Sequence, residues 1–170
     1  YTIDPLNPKT DRLLAQVEGG GWGPMDWAPD DRQLLVLQFI SVNESYIWLF
    51  DTQSGERTLL TPKGKEPVSY GGAVFSKDGK GLYVVTDRDS EFQRLGYLDL
   101  ASKRFTPLSD RIKWDVEDFD LSKDGKLLAF VTNEDGISVL HLLDTKTRRE
   151  IPAPKLPNGI IYGIQWRANS

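Results

Sequence analysis

Cysteine is absent from the 170 residues and histidine occurs once. Without cysteine there is no disulfide framework, no thiolate metal site and no cysteine nucleophile. An excess of positive charge is missing too: 21 basic residues face 25 acidic ones, both signs are interspersed, and no lysine-arginine cluster occurs. A nucleic-acid surface of the usual basic kind is thereby excluded. Long apolar runs are lacking. The longest, residues 34–37 continuing past Gln38 to Phe39 and Ile40, falls far short of the roughly 18 residues a membrane-spanning helix requires. No membrane or nucleic-acid partner is expected, and the chain reads as soluble. No signal-peptide pattern opens it, but it starts at Tyr1, so cytoplasmic and periplasmic or secreted locations both stay open.

What the chain does have is a period. Asp4, Asp51, Asp99 and Asp144 recur 47, 48 and 45 residues apart, each closing an apolar stretch and opening a polar turn. A second marker keeps the same register: Trp27-Ala28-Pro29-Asp30-Asp31-Arg32, Phe75-Ser76-Lys77-Asp78-Gly79-Lys80, Leu121-Ser122-Lys123-Asp124-Gly125-Lys126, and the truncated Trp166-Arg167-Ala168-Asn169-Ser170. Two markers in phase, at about 40 to 50 residues, point to stacked supersecondary units of about four strands each, the blades of a β-propeller.

Within each unit, the apolar runs Leu34-Leu35-Val36-Leu37, Leu82-Tyr83-Val84-Val85 and Leu127-Leu128-Ala129-Phe130-Val131 are continuous rather than alternating. Such runs are strands buried on both faces, as when a blade lies on either side. They are read as strand two. Strand one is expected over 24–28, 72–76, 119–122 and 163–167, with apolar residues two apart; Trp27 and Trp166 fall at its core positions. Strand three is expected over 46–50, 94–98 and 139–143, and strand four near 57–60, 104–108 and 148–151. Residues 1–4 and 11–15 match strands three and four of an earlier unit.

Turn chemistry supports the register. Asp-Gly at 78–79 and 124–125 suits hairpin tips, where glycine takes positive φ and aspartate bonds the local backbone. Asp51-Thr52-Gln53-Ser54-Gly55-Glu56 makes the next hairpin, and its counterparts from Asp99 and Asp144 keep the aspartate and lose the glycine. The periodic aspartate is most simply an Asx-type turn former. The fold class is therefore all-β, a partial β-propeller of about three complete four-stranded blades plus two incomplete ones. The expected units are 1–20, the end of a blade; 21–66, 67–113 and 114–157, whole blades; and 158–170, the start of the next. Closed propellers typically have four to eight blades, so either an excised part of something longer or a chain that completes itself with another copy is expected, with apolar open faces prone to self-association.

This repeat resembles the propeller blades of the prolyl oligopeptidase family of serine peptidases and of the related TolB-type periplasmic propellers, in which a Ser-Pro-Asp-Gly-Lys hairpin precedes a strand ending in a Leu-Asp turn. Lysine replaces the proline at Lys77 and Lys123, and Ala28-Pro29-Asp30-Asp31 keeps proline but loses glycine. Thr86-Asp87-Arg88-Asp89-Ser90-Glu91-Phe92-Gln93-Arg94-Leu95 is similar to the segment between strands two and three in the dipeptidyl-peptidase and acylaminoacyl-peptidase branches. The resemblance implies a non-catalytic propeller fragment that limits and guides peptide access to a hydrolase domain absent from this chain. That domain, and through it peptide substrates, are the implied partners. The alternative is a TolB-type protein-interaction propeller with no hydrolase domain.

No Gly-x-Ser-x-Gly nucleophile elbow occurs in the chain, and the lone His141 sits in strand three, in register with Trp48 and Gly96, where it reads as structural. No catalytic residue, cofactor or metal ligand is assigned. Loops joining strands two and three, and those joining blades, emerge on one face and gather Asn43, Glu44, Asp87, Arg88, Asp89, Glu91, Asn133, Glu134 and Asp135, with Trp22 and Trp114 at blade junctions. Of these, Glu44, Asp87, Arg88, Glu91, Asn133, Glu134, Trp22 and Trp114 are the candidate substrate or partner contacts. Convergent carboxylates beside an arginine can grip a peptide terminus or a neighbouring domain; the same residues also make a solvated acidic rim whose exposed pairs contribute little. Asp87, Asp89 and Glu91 lack the glycine and ligand number of a calcium loop. Gly19-Gly20-Gly21 lacks the lysine-serine pair of a phosphate loop and reads as a flexible junction.

Overall fold

Each apolar run becomes the second strand of an antiparallel sheet, because its side chains alternate between two faces that both need cover. The computed structural model describes residues 1–61 and 63–167; these form fourteen strands and no helix. Strands β1 (Thr2–Asp4) and β2 (Asn7–Arg12) make a hairpin. Three four-stranded sheets follow in simple sequential order. The first holds β3 (Trp22–Trp27), β4 (Gln33–Ser41), β5 (Glu44–Asp51) and β6 (Arg57–Leu59). The second holds β7 (Tyr70–Phe75), β8 (Gly81–Thr86), β9 (Arg94–Asp99) and β10 (Phe105–Pro107). The third holds β11 (Val116–Leu121), β12 (Leu127–Glu134), β13 (Ile137–Asp144) and β14 (Arg149–Ile151). The chain is a partial β-propeller: β3, β7 and β11 neighbour one another on the inside and successive sheets pack face to face.

The two-sided burial expected of strand two is complete in the middle sheet, where all six residues of β8 are buried. Leu82 and Val84 pack against Leu35 and Ile47 of the first sheet, while Tyr83 and Val85 pack against Leu128 and Phe130 of the third. The free face of the first sheet, with Leu34, Val36 and Phe50, is covered by Leu14, Ala15 and Val17. That packing corrects one expectation: β2 runs over Asn7–Arg12, and the following residues leave the hairpin to seal the sheet, so only residues 11 and 12 of the expected 11–15 are strand.

Strand one is longer than its sequence pattern. Each of β3, β7 and β11 carries a bulge, between Pro24 and Asp26, Tyr70 and Gly72, and Val116 and Asp118. A bulge shifts the alternation by one, so residues ahead of it are out of phase with those behind. The expected strand at 163–167 is not one among the described residues. It nevertheless lies along β11. Ile164 and Trp166 donate their backbone N–H groups to Asp118 Oδ2 (3.1 Å) and Asp120 Oδ2 (2.7 Å), and the Trp166 indole donates to the Asp120 carbonyl. Between the first and second sheets, the Phe75 N–H donates to Asp26 Oδ2 at 2.8 Å in the same register.

Trp27 is a further correction. Its counterparts Phe75 and Leu121 are 3% and 5% exposed, whereas Trp27 is 46% exposed. Phe75 and Leu121 pack towards the preceding sheet, and ahead of Trp27 stands only a two-stranded hairpin. His141 pairs with Phe130 as Trp48 pairs with Val36 and Gly96 with Val84. Its ring stacks on Phe130 at 4.7 Å and meets Thr132 Oγ1 at 3.0 Å. At Gly96 a Cβ would lie 2.2 Å from Phe105, whose ring occupies that room instead.

The periodic aspartates form the turns expected of them. Asp51 Oδ1 accepts the Gln53 and Ser54 N–H groups and the Ser54 hydroxyl; Asp99 and Asp144 do the same with Ser102 and Thr147. These hydrogen bonds, led in Asp51 by the Ser54 N–H, hold all three carboxyls below the usual range. Asp124 is held lowest, at about 2, first by the Lys126 ammonium and then by the Lys126 N–H and the Ser122 hydroxyl. Gly55 closes the first of these turns at φ 75°, with the Leu14 carbonyl 2.2 Å from where a Cβ would sit, so only glycine fits; Lys103 and Arg148 hold the same left-handed conformation in the later turns.

Two outcomes follow for stability. Phe75→Ala costs about 3–5 kcal/mol as a core truncation, whereas Trp27→Ala, at the same register position, costs less than about 1 kcal/mol; urea unfolding of the two variants measures this, and equal losses contradict the packing described. The lowered carboxyls stabilise the fold above the unfolded aspartate value, about 3.9, and that contribution is lost as pH falls through the folded values, about 2 for Asp124. The urea midpoint therefore drops between about pH 4 and pH 2, and drops less in Asp124→Asn; identical profiles count against the turn as a source of acid lability.

Candidate functional site

The bulged front halves of β3, β7 and β11 do not close on one another. Between them lies a groove of about 500 Å³ whose walls include Met25, Gly71, Gly72, Glu117 and Phe119. Small residues keep it open: a Cβ on Gly72 would sit 2.9 Å from the Phe119 ring, and one on Gly71 would face Val85 and the Gln93 side chain. Two carboxylates reach the rim. Glu117 Oε1 accepts from Asn133 Nδ2 at 3.0 Å, and Asp118 Oδ2 accepts the Ile164 N–H. Gln93 also lines the groove, and its Oε1 is buried with no hydrogen-bond partner. An unmet buried acceptor costs about 1–3 kcal/mol, so it is a ready receptor for a donor brought by a ligand.

None of the eight candidate contacts lines this groove. Asp87 works at a blade junction, its Oδ1 accepting the Ser69 N–H at 2.8 Å. Arg88 pairs with Asp89 at 3.6 Å and lies 6.0 Å over the Phe105 ring, while its carbonyl accepts from Arg94. Glu44 accepts the Tyr46 hydroxyl, which raises the Tyr46 pKa. Asn133 Oδ1 closes its own hairpin by accepting the Gly136 N–H. Glu134 accepts the Thr132 hydroxyl and lies 3.5 Å from His141. Trp22 packs on Trp48 and Phe50, its indole N–H bonded to the Glu18 carbonyl. Glu91 and Trp114 are exposed. Burial pushes the nearby Tyr70 phenol up, partly offset by Arg88. Asn133 approaches the groove most nearly, through Glu117.

The groove's polar residues escaped the sequence reading because Glu117 and Asp118 precede the apolar pattern of strand one and Gln93 stands just ahead of β9. The acidic run Asp115, Glu117 and Asp118 was the available signal. Among the described residues no cluster of histidine, aspartate and glutamate could hold a metal ion, and no helix is long and apolar enough to cross a membrane.

No family model matches the chain, and no curated protein matches it by sequence. Solved structures do match. A prolyl endopeptidase superposes with a TM-score of 0.70 at 17% identity over 89% of this chain and 22% of its own. A puromycin hydrolase gives 0.61 at 23% identity over 76% of this chain and 21% of its own. TolB from Acinetobacter baumannii gives 0.60 at 18% identity over 76% of this chain and 31% of its own. The likeness is one of fold. This chain shares the propeller fold of these structures, and it spans between about a fifth and a third of the length of these three.

Replacing Gln93 by methionine removes the unmet acceptor while keeping side-chain length. Gln93→Met is expected to be neutral or to stabilise by about 1 kcal/mol in denaturant unfolding; a loss of that size instead shows that the amide has a partner.

Proposed function

We propose that this chain is a non-catalytic propeller segment of a serine peptidase of the prolyl oligopeptidase family, in its dipeptidyl-peptidase and acylaminoacyl-peptidase branch, limiting and guiding peptide access to a hydrolase domain carried elsewhere in the parent protein. The observation that carries this reading is the axial groove, in a fold like that of a prolyl endopeptidase over 89% of the chain. Gln93 Oε1 receives a peptide N–H, and the Glu117 and Asp118 carboxylates favour a cationic amino terminus over an anionic one. Width does the rest. With Gly71 and Gly72 lining a groove of this size, an extended chain passes and a folded one does not.

The resemblance at Thr86 to Leu95 supports the peptidase branch, and the likeness to TolB supports the second reading, a protein-interaction propeller without a hydrolase domain. In either case the repeating units run over 21–66, 67–113 and 114–157, with 1–20 and 158–170 belonging to neighbours. Exposed Ile151 and Ile160 on the outer side of the third sheet are covered by a further blade or, in the isolated chain, by another copy.

The coding sequence beyond Ser170 tests the choice: a Gly-x-Ser-x-Gly elbow followed by aspartate and histidine is expected, and a stop after further blades with no elbow overturns the peptidase reading. The purified chain is expected to leave peptide esters and amides intact, to escape labelling by a fluorophosphonate probe, and to show concentration-dependent self-association in light scattering. Probe-sensitive turnover refutes the non-catalytic assignment, and a strict monomer refutes the exposed faces as adhesive.

A further inference from the structure

The outer edges of the second and third sheets diverge into a cleft of about 600 Å³, walled by residues that include Thr106, Asp110, Arg111, Arg148, Arg149 and Glu150. The corresponding space between the first and second sheets is about 70 Å³. One exchange accompanies that difference. Phe105, whose ring fills the room at Gly96, pairs with Leu98; Glu150 pairs with the equivalent Leu143 and turns its carboxylate to His141 Nδ1 at 3.3 Å.

Charge in the cleft runs against that of the chain. Three guanidiniums, Arg111, Arg148 and Arg149, reach it in a protein of net charge −4. Among the described residues none of the three has a carboxylate within ion-pair distance. Of the two acids present, Glu150 is already engaged by His141. Arg148 is held in place: its guanidinium lies 4.5 Å over the Tyr97 ring, across the boundary between the sheets. It is held at some cost, because its φ is 56° at the turn position where the first sheet has Gly55. Lys103 holds the same conformation at the equivalent turn of the second sheet.

We propose that this cleft binds an extended acidic peptide segment, whose carboxylates are taken by Arg111, Arg148 and Arg149. The planar guanidinium fork matches a carboxylate in two parallel hydrogen bonds. Extended shape follows from the walls. Both β10 and β14 are the outermost strands of their sheets, so each presents unpaired main-chain groups to the cleft side. Pro107 removes a donor from β10, so the segment lies along β14. The cleft shares no lining residue with the axial groove, and the proposal is independent of whether a hydrolase domain exists.

The test is a fluorescence-anisotropy titration of the 170-residue chain with a labelled five-residue peptide of alternating glutamate or aspartate and valine, against a glutamine and asparagine version and with inorganic phosphate as competitor. The acidic peptide is expected to bind, to weaken as salt is raised, and to lose roughly tenfold in affinity in the Arg111→Gln, Arg149→Gln double variant, whose changes fall at exposed positions. Arg148→Gly separates turn from ligand: it is expected to unfold at the same or a higher denaturant concentration and still to bind several-fold more weakly. Equal binding of the neutral peptide, unchanged affinity in the double variant, no binding by the parent chain, or phosphate displacing the probe as well as unlabelled peptide does would each overturn it.

Discussion

A sheet with two apolar faces is unstable alone, and the need to cover both faces governs this molecule. In β8 Leu82 and Val84 point one way and Tyr83 and Val85 the other; burying one such side chain contributes about 1.5–3 kcal/mol, and each face buries several. Repeating the sheet covers both faces wherever a neighbour stands on either side. Where a neighbouring sheet is incomplete, the chain improvises: Leu14, Ala15 and Val17 fold over the first sheet, and residues 159–166 run along the third, where the Ser138 hydroxyl accepts the Ile161 N–H.

Hydrogen bonds fix how the sheets register on one another, a task that non-directional apolar packing does poorly. Ser45 at the start of β5 exchanges bonds with Tyr70, its hydroxyl donating to the Tyr70 carbonyl and accepting the Tyr70 N–H. Ser138 plays the matching part at the start of β13. Asp26 and Asp120 make the second link, to Phe75 and Trp166. In the middle sheet the position is Val74, and there Val116 is tied instead through the Gln93 carbonyl. The same residue thus fastens two sheets with its backbone and lines the axial groove with its side chain.

The two cavities arise from one geometric cause acting at opposite edges of the sheets. Sheets that pack tightly midway along their width leave room where they meet at the axis and where they spread at the rim. Glycines at 71 and 72 keep the inner room open, and the exchange of an aromatic for Glu150 accompanies the outer one. The inner groove is acidic at its rim and the outer cleft rich in arginine, so the two favour ligands of opposite charge.

The four-strand repeat, most of its strands and its turn positions were legible in the sequence because they rest on local rules: alternation within a strand, an aspartate closing a turn, continuous apolar runs between two neighbours. The groove was not legible. Bulges in β3, β7 and β11 broke the alternation ahead of strand one and hid Gln93, Glu117 and Asp118 as a group, since these residues meet only when different strands are brought side by side. The loop residues from Glu44 to Glu134 were singled out because they are polar and share a face; in the structure most of them bond to their own turns or blade junctions. Sequence alone determined that there are repeated two-faced sheets, since every residue of the period carries that instruction locally. Only the tertiary structure decided what each repeat's equivalent position does: Trp27 is exposed and Phe75 buried, Gly55 is indispensable and Arg148 strained, because burial and contact depend on the neighbouring unit, which a residue's own segment does not encode.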